Sequence, residues 1–295
     1  MQYKYVVNRK GIILAGGKGS RLYPTTKATP KCLLPIYDKP MIYYSVSTLM
    51  LAGIREILVI TTPTDKERVY GLLGDGQKWG ININYEIQYQ HKGIADALII
   101  ASKFLDKSPC ALMLCDNIFH GPELKAIFTR ACLSKKNIIF AYEVSDPERF
   151  GICELNDEHK VMSIQEKPSN PKSNLCVTGL YFYDEDASEV ASEIQPSPRG
   201  ELEITDVNIT YMEQDNLYAE VLNQSYNWID AGTVESFLEA SFFVKSIEQE
   251  NGIKISCPEA IAYNNSWINE DKLKMIAKDL SNSPYSDYLF KIIEN

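Results

Sequence analysis

The sequence predicts an α/β fold, a three-layer αβα sandwich built on a mostly parallel, Rossmann-like mixed sheet, with a small helical part at the C-terminus. Two observations lead to this prediction. Short apolar runs alternate with helix-like patterns over the first 145 residues, and repeated strand–helix–strand units pair in parallel through right-handed crossovers. A chain of 295 residues, 45% of them hydrophobic, can also fill the core of such a sandwich.

The strands of the first half are predicted where apolar residues run between polar or glycine-rich segments: Gly11–Ala15, Glu56–Thr61, Ile83–Gln88, Ala111–Cys115 and Ile138–Val144. Helices are expected between them, over residues 40–53, 65–73 and 94–104 and from Pro122 onward. Pro40 is expected to open the first helix and Gly53 to end it, because proline suits the first helical position and glycine the position after the last.

The pattern changes after residue 145. Alternating residues on either side of a polar turn predict a hairpin of Gly151–Leu155 and Val161–Gln165. The remaining predicted strands are Cys176–Tyr183 and Tyr218–Leu222, and the remaining predicted helices are Asp184–Ile194, Glu201–Gln214, Val234–Glu248, Glu270–Lys278 and Ser286–Glu294.

The composition excludes several classes of partner. The formal charge is −9, which repels a polyanion, so we expect no nucleic-acid partner. No run approaches the roughly 18 apolar residues that span a bilayer, so we expect no membrane partner either. The seven cysteines are scattered and form no CxxC pair, which is typical of buried free thiols in a reducing compartment and predicts a cytoplasmic protein.

A glycine-rich loop follows the first predicted strand, over Leu14–Leu22. Gly16, Gly17 and Gly19 have no Cβ, so their amides can approach a phosphate chain, while Lys18 and Arg21 supply positive charge. The spacing matches neither GxGxxG nor GxxxxGK[ST], which disfavours dehydrogenases and P-loop NTPases. A turn of purely structural purpose is the alternative.

The position of this loop predicts where a ligand binds. In doubly wound sheets, ligands lie beyond the carboxyl ends of the strands. That rule places the glycine loop and Asp116, which follows the predicted strand Ala111–Cys115, at one edge of the sheet.

Several runs, taken together, resemble the bacterial-type glucose-1-phosphate thymidylyltransferases over essentially the whole chain. They are GGKGSRLYPTT (16–26), YDKPMIYY (37–44), LAGIRE (51–56), DPERFG (146–151), EKP (166–168), SPRGELEITD (197–206) and WIDAGT (228–233). Outside these motifs, the chain departs from the family's common pattern at Cys32, at Asp96, at Cys115 and in the turn Tyr89–Lys92.

The resemblance implies a fold of the nucleotide-diphospho-sugar transferase type and a division of the chain. Residues 1–233 would form the nucleotidyltransferase core, with a nucleotide-binding half at about 1–145 and a sugar-phosphate-binding half at about 146–233. Residues 234–295 would be a helical region packed on the core. No hexapeptide repeat is present, which excludes a bifunctional acyltransferase form.

The implied reaction joins dTTP and α-D-glucose 1-phosphate by in-line attack at the α-phosphorus, giving dTDP-glucose and pyrophosphate. The resemblance assigns catalytic roles to Arg21, Lys31 and Lys167. It makes Asp116 and Asp230 ligands of Mg²⁺, an ion that commonly takes one or two carboxylates together with phosphate oxygens. It also implies a homotetramer.

The resemblance further implies two binding sets. The nucleotide-binding residues are Leu14, Ala15, Gly16, Gly17, Gly19, Ser20, Gln88, Gly93 and Asp116. The sugar-binding residues are Asn117, Gly151, Glu166, Lys167, Val177 and Tyr181. Tyr181 has a second interpretation, as an aromatic side chain of the core.

The base contact leaves the choice of nucleotide open. The Gln88 amide can donate to O4 of thymine and accept from N3–H, and uracil presents the same edge. A single methyl group discriminates by about 1–3 kcal/mol, so some use of UTP is expected. The alternatives are a UTP-preferring uridylyltransferase and a non-catalytic homologue that binds sugar nucleotides.

Overall fold

A computed structural model of the protein describes residues 8–294. Residues 1–7, which belong to the predicted nucleotide-binding half, and residue 295, which belongs to the predicted C-terminal region, lie outside the described residues. The strands are β1 (Lys10–Leu14), β2 (Pro35–Ile36), β3 (Lys39–Pro40), β4 (Glu56–Thr61), β5 (Asn82–Ile87), β6 (Cys110–Leu114), β7 (Asn117–His120), β8 (Asn137–Glu143), β9 (Gly151–Leu155), β10 (Val161–Glu166), β11 (Leu175–Tyr183), β12 (Leu217–Leu222) and β13 (Asn227–Asp230).

The helices alternate with the strands in the first half and dominate the C-terminal part. They are α1 (Ile42–Leu51), α2 (Lys66–Leu73), α3 (Asp96–Ile100), α4 (Ser102–Leu105), α5 (Leu124–Leu133), α6 (Ala187–Glu193), α7 (Ile204–Glu213), α8 (Val234–Asn251), α9 (Pro258–Asn264), α10 (Glu270–Asp279) and α11 (Pro284–Glu294).

Within residues 8–294, nine strands form one mixed sheet with the central order β10-β9-β11-β6-β1-β4-β5. Strands β6, β1, β4 and β5 run parallel, whereas β11 runs antiparallel to β6, β8 and β9, and β12 runs parallel to β8. Two small two-stranded sheets, β7 with β13 and β2 with β3, lie outside it. Since β11 pairs with β6, both predicted halves share one continuous sheet.

The sheet separates two hydrophobic layers, which confirms the predicted sandwich. Neighbouring residues of β1 point to opposite faces: Ile13 packs with α1, α2, α5 and the C-terminal helices, and Ile12 packs with α3, α4, α6 and α7. Both residues are fully buried. The alternation follows from the two-residue period of a strand with both faces covered.

Several helices differ from the sequence prediction, among them α6, which begins at Ala187 and not at Asp184, and α9, which was not predicted. Pro40 does not open α1, because Lys39–Pro40 pairs with Pro35–Ile36 as a hairpin and the helix begins at Ile42. The helix expected over 94–104 divides into α3 and α4. The helix expected from Glu201 begins only at Ile204, and the helix expected from Pro122 begins at Leu124.

The C-terminal helices pack on the core. Glu259 in α9 is 2% exposed and accepts hydrogen bonds from Trp79 Nε1 (2.9 Å) and Tyr285 Oη (2.7 Å). A separate small apolar cluster joins α8 to β7 and to the β2–β3 hairpin. No helix of the described chain is long and apolar enough to cross a membrane. The seven cysteines are buried and free, as the sequence predicts.

Candidate active site

A cleft of about 550 Å³ lies at the carboxyl ends of β1 and β6. The glycine loop and Asp116 both line it, so the structure has the juxtaposition expected from the sequence. The predicted residues that line it are Leu14, Gly17, Gly19, Ser20, Arg21, Lys31, Gln88, Gly93 and Asp116. Lys18, His91, Ile94, Leu114, Cys115, Glu201 and Gly232 complete the lining.

Glycine stands at each of these positions of the loop for a different physical reason. Gly19 has φ of 60°, and a Cβ there would lie 2.9 Å from Cγ2 of Thr26. A Cβ on Gly16 would lie 2.9 Å from Oε1 of Gln88. A Cβ on Gly17 would meet no atom within 4 Å, and this residue is exposed at the cleft. Packing therefore accounts for Gly16 and Gly19, whereas Gly17 leaves backbone open to a ligand. Ala15, buried, donates from its amide to the carbonyl of Ile60 at 2.8 Å.

Asp116 and Lys31 form an ion pair on the floor of the cleft. Burial opposes ionisation of Asp116, yet the Lys31 ammonium and a hydrogen bond from Asn117 hold the pKa of that carboxyl below its usual value. Burial acts to lower the pKa of Lys31, but the Asp116 carboxylate outweighs it and raises that pKa. Both groups are therefore charged at neutral pH.

Asn117 orients this pair. Its Nδ2 donates to Asp116 Oδ1 at 3.0 Å, and its Oδ1 accepts from the amide of Gly179 at 2.8 Å and from Trp228 Nε1 at 2.6 Å. The side chain is 3% exposed. A Cβ on Gly179 would meet Asn117 at 2.6–2.7 Å. The amide predicted for the sugar pocket is thus buried, fixed by Gly179 and Trp228, and donates to Asp116.

The small β7–β13 sheet places Asp230 next to the segment that contains Asp116. It pairs in register with Asn117, and the amide of Ala231 donates to the carbonyl of Asp116 at 2.8 Å. Burial, and then the Asp116 carboxylate, raises the pKa of Asp230 to about 6. Its Oδ1 is buried and has no hydrogen-bond partner among the described residues.

Because Gly232 has no side chain, Arg21 can lie close to Asp230. A Cβ on Gly232 would lie 2.7 Å from Asp230 Oδ1 and 2.8 Å from a terminal nitrogen of Arg21. Only a residue without a side chain leaves this gap between the guanidinium and the carboxylate. Two carboxylates and two cations, from distant parts of the chain, therefore meet at one end of the cleft.

The carboxylate pair suits a divalent cation that takes its remaining ligands from a substrate and from water. Even with Lys31 and Arg21 nearby, Oδ1 of Asp230 has no hydrogen-bond partner among the described residues, and a bound cation would compensate this buried oxygen. Residues 8–294 hold no cluster of three or more His, Cys, Asp and Glu side chains that could bind a metal by themselves. Mg²⁺ is compatible with this arrangement because it retains waters and phosphate oxygens as ligands.

A second polar cluster surrounds Glu166. This carboxylate accepts a hydrogen bond from Thr205 Oγ1 at 2.6 Å and lies 3.1 Å from Arg199 and 3.3 Å from Lys167. Burial opposes its ionisation, but the hydrogen bond from Thr205 and the Lys167 ammonium hold its pKa below the usual value. Gly151 lies beside it: a Cβ there would be 3.5 Å from Glu166 Oε2.

Lys167 has a strained backbone at this cluster. Its φ of 43° is unusual for a residue with a side chain, and its amide donates to the carbonyl of Phe150 at 3.0 Å. Such strain is found more often at functional sites, where the surroundings enforce it. The side chain is 47% exposed and can therefore reach a ligand.

Val177 and Tyr181 flank an irregularity of β11, where the pairing with β8 shifts register. Val177 is half-buried. Tyr181 is 4% exposed and stacks on Tyr183 with ring centroids 5.8 Å apart. Burial, and then the Glu166 carboxylate, raises the pKa of Tyr181. Tyr181 therefore belongs to the core, close to the Glu166 cluster.

Gln88 lines the same cleft, beside the turn that contains Gly93. Its Nε2 donates to Asp96 Oδ2 at 2.9 Å and to the carbonyl of Gly93 at 3.4 Å. Gly93 has φ of 103°, and a Cβ there would collide with the backbone of Leu202. This turn is bonded to the SPRGELE loop, since Leu202 donates to Lys92 O (2.6 Å).

Three residues with evident roles were not assigned from the sequence. Arg199 bridges Glu166 and Glu203, at 3.1 and 2.9 Å. Asp96 holds Gln88, and Gly232 makes room for Arg21. The SPRG and WIDAGT motifs were signals for Arg199 and Gly232, whereas the role of Asp96 depends on a contact that no local pattern records.

Known proteins are similar in sequence to this chain over nearly its whole length. Residues 10–247 match the family model described as nucleotidyl transferase. The chain is 48% identical over 285 residues to a glucose-1-phosphate thymidylyltransferase of Xanthomonas campestris pv. campestris, covering 96% of this chain and 97% of the relative. It is 46% identical over 285 residues to the protein of that name from Mycobacterium tuberculosis, covering 97% and 99%.

Solved structures show the same similarity. A Bacillus anthracis protein, provisionally named glucose-1-phosphate thymidylyltransferase and crystallised with sucrose, superimposes with a TM-score of 0.73 at 39% identity, covering 80% of this chain and 94% of that one. A UDP-glucose pyrophosphorylase in complex with UDP-glucose gives a TM-score of 0.71 at 27% identity, covering 81% and 99%.

Proposed function

The chain belongs to the glucose-1-phosphate thymidylyltransferases of the nucleotidyl transferase family, and from this premise we propose how the residues of the cleft carry out the family's reaction. The enzyme joins dTTP and α-D-glucose 1-phosphate into dTDP-glucose and pyrophosphate. The observation that carries the proposal is the meeting of Arg21 and Lys31 with Asp116 and Asp230 at one end of the cleft.

The triphosphate binds along the glycine loop. Exposed Gly17 and the amides of Gly19 and Ser20 approach its oxygens, and Arg21 and Lys31 neutralise the β and γ phosphates and then the departing pyrophosphate. A basin of about 450 Å³ adjoins the cleft through Gly17 and Lys31, and Lys27 and Arg68 add positive charge there. The basin provides space for the pyrophosphate.

Asp116 and Asp230 hold Mg²⁺, whose chemistry when bound is to neutralise charge on the phosphoryl oxygens. Support comes from the unpartnered Oδ1 of Asp230 and from the two carboxylates adjoining each other. Asn117, through its bond to Asp116 Oδ1, fixes the direction in which that carboxylate faces.

Glucose 1-phosphate binds at the second cluster, in the residues 146–233 that we propose as the sugar-phosphate-binding half. Lys167 contacts the sugar phosphate and orients its oxygen for attack on the α-phosphorus. Glu166 and the backbone of Gly151 bind sugar hydroxyls, and half-buried Val177 forms the apolar side of the pocket. Tyr181 supports this side from the core. Arg199 keeps Glu166 in place through its ion pair.

Base recognition rests on Gln88 with the turn at Gly93, and apolar Leu14 packs against the base. Thymine and uracil share the N3–H and O4 edge, so UTP is expected as a slower substrate. The uridylyltransferase alternative is not favoured by the identities, which are higher with the thymidylyltransferases.

The experiment that tests the function is pyrophosphate release from the purified chain with Mg²⁺ and glucose 1-phosphate, with dTTP, UTP, CTP, ATP and GTP offered separately. We expect the highest rate with dTTP and the next with UTP. Absence of release with every nucleotide, from protein that still binds dTDP-glucose, would instead establish the non-catalytic homologue. Omission of glucose 1-phosphate is the control for nucleotide hydrolysis.

The quaternary structure and location complete the proposal. We expect a homotetramer, and exposed apolar residues along α8 support self-association: Val234, Leu238 and Phe242 are 53, 54 and 59% exposed. We place the enzyme in the cytoplasm, because seven buried, unpaired cysteines suit a reducing compartment.

A further inference from the structure

Gln88 and Asp96 form a buried pair beside the base end of the cleft. Gln88 is 4% exposed and Asp96 is 9% exposed, and Nε2 of the amide donates to Oδ2 of the carboxylate at 2.9 Å. An ionised carboxylate accepts hydrogen bonds and donates none. Asp96 therefore determines which end of the Gln88 amide faces it, namely the nitrogen.

The second N–H of the amide is also engaged. Nε2 lies 3.4 Å from the carbonyl oxygen of Gly93, which again only accepts. On the other side, Oε1 lies against the glycine loop, 2.9 Å from where a Cβ on Gly16 would be. Within residues 8–294 no donor is bonded to Oε1. The only hydrogen-bonding capacity that Gln88 retains for a ligand is that of an acceptor.

We propose that Asp96 is a positioning residue for base selectivity. This inference rests on the proposed function, because it concerns the base of the nucleotide that binds in this cleft. Thymine and uracil carry a hydrogen on N3 and can donate it to Oε1. Cytosine presents an unprotonated N3, so two acceptors would face each other in a buried place and both would lack a donor.

The hydrogen bond to Asp96 changes the contact that is expected between Gln88 and thymine. An amide that is free to turn can both donate to O4 and accept from N3–H, whereas the amide held by Asp96 only accepts. O4 must then be bound by other donors of the cleft. Rejection of cytosine depends on the carboxylate at position 96, which does not touch the base itself.

The test compares Asp96→Asn with the wild-type enzyme. Asparagine has nearly the same shape but can present either oxygen or nitrogen to Gln88. Only the longer 3.4 Å bond to the Gly93 carbonyl then opposes reversal of the amide, so Nε2 can turn to N3 of cytosine. We expect the ratio of kcat/KM for dTTP to that for dCTP to fall by about 10- to 100-fold. Asp106→Asn, at an exposed position after α4, is the matched control and should leave the ratio unchanged.

Two further readouts separate positioning from a general loss of structure. The ratio of dTTP to UTP should not change, because both bases present the same N3–H. The KM of glucose 1-phosphate should stay within twofold of the wild-type value, because the Glu166 cluster does not contact Asp96. A structural defect alone would lower all rates and leave the thymine-to-cytosine ratio at its wild-type value.

Asp96→Ala provides a second variant should Asp96→Asn fail to fold, since it too removes the acceptor, and it should relax the same ratio. An unchanged dTTP-to-dCTP ratio in a folded variant, with the wild type active on dTTP, would overturn the role of Asp96 and leave the proposed function standing. A wild type that releases no pyrophosphate with any nucleotide would overturn the proposed function itself.

Discussion

Asp116 and Asp230 are both carboxylates of the cleft, but their surroundings oppose each other. Asp116 has an ion pair with Lys31 and a hydrogen bond from Asn117. Asp230 has a buried oxygen without a partner and lies beside a like charge. The same substitution at the two positions should therefore have opposite effects on stability and the same effect on catalysis.

We predict that Asp116→Asn and Asp230→Asn each lower Mg²⁺-dependent turnover by about 100-fold or more, because each removes one charged ligand. In metal-free buffer, Asp230→Asn should raise the Tm, since a neutral amide removes the repulsion by Asp116. Asp116→Asn should lower it, because Lys31 loses its buried partner. Pyrophosphate release and thermal unfolding in EDTA measure the two effects.

Asp157→Asn, in an exposed turn, is the control for these two variants. Turnover of wild-type rate in either cleft variant would remove that residue from the metal site. Equal Tm changes in both would contradict the opposite surroundings described here.

Glu166 gives a pH-dependent prediction. Its folded pKa lies below the unfolded value of about 4.3, because the Thr205 hydrogen bond and the Lys167 ammonium outweigh burial. The stabilisation it contributes is therefore complete above the unfolded pKa and is lost as the pH falls through the folded pKa. We expect the loss of unfolding free energy in Glu166→Gln to be larger at pH 7 than at pH 3.

Urea unfolding of both proteins at the two pH values measures this difference. Glu158→Gln, at an exposed turn, should show the same small effect at either pH. A Glu166→Gln effect that is independent of pH would mean that the carboxylate has no net favourable partners in the folded enzyme.

At the scale of elements, Arg9 joins a helix to the sheet. It is 5% exposed and donates to the carbonyls of Cys132 (3.0 Å), Cys110 (2.9 Å), Ser134 (2.9 Å) and Tyr183. These carbonyls belong to the end of α5, the start of β6 and the end of β11. One guanidinium thus donates to backbone carbonyls of three elements.

We predict that Arg9→Ala lowers the free energy of unfolding by about 3 kcal/mol, because buried carbonyls lose their donors. Denaturant unfolding monitored by circular dichroism measures it. Arg130→Ala is the matched control: Arg130 is 62% exposed and pairs with Glu220 at the surface, so its loss should cost about 1 kcal/mol or less. Similar losses in the two variants would show that the Arg9 contacts are not stabilising.

At the scale of the whole molecule, α8 presents an uncovered apolar stripe. Val234, Leu238 and Phe242 follow one another at four-residue spacing, which places them on one face of the helix. The opposite face, with Ala240 and Val244, is buried against the chain's own hairpin and β7–β13 sheet. An exposed apolar stripe of this kind is typical of an interface.

We predict that Leu238→Glu combined with Phe242→Glu dissociates the expected homotetramer, because each charge would have to be buried in the interface. Light scattering after size-exclusion chromatography measures the mass. Glu239→Lys, on the polar flank of the same helix, should leave it unchanged. A wild type that is monomeric would contradict the expected tetramer, and a double variant with the wild-type mass would exclude this face.

Patterns of neighbouring residues were enough to predict the three-layer fold and most of its strands, because the apolar runs and their periodicity are local properties of the chain. The glycine loop and Asp116 could be placed at one edge of the sheet for the same reason. Glu56–Thr61 and Gly151–Leu155 were predicted with their observed bounds. The reaction was predicted from the motifs that carry the family resemblance.

Pairings between distant segments could be decided only by the tertiary structure. Strands β7 and β13 have four residues each, too few for a periodic signal, yet their pairing places Asp230 beside Asp116. The bond that holds Gln88 to Asp96 and the four carbonyls around Arg9 likewise depend on side-chain direction and burial. The pattern of neighbouring residues in the sequence predicts which elements form. The free energies of burial and of unpaired polar groups determine which side chains meet.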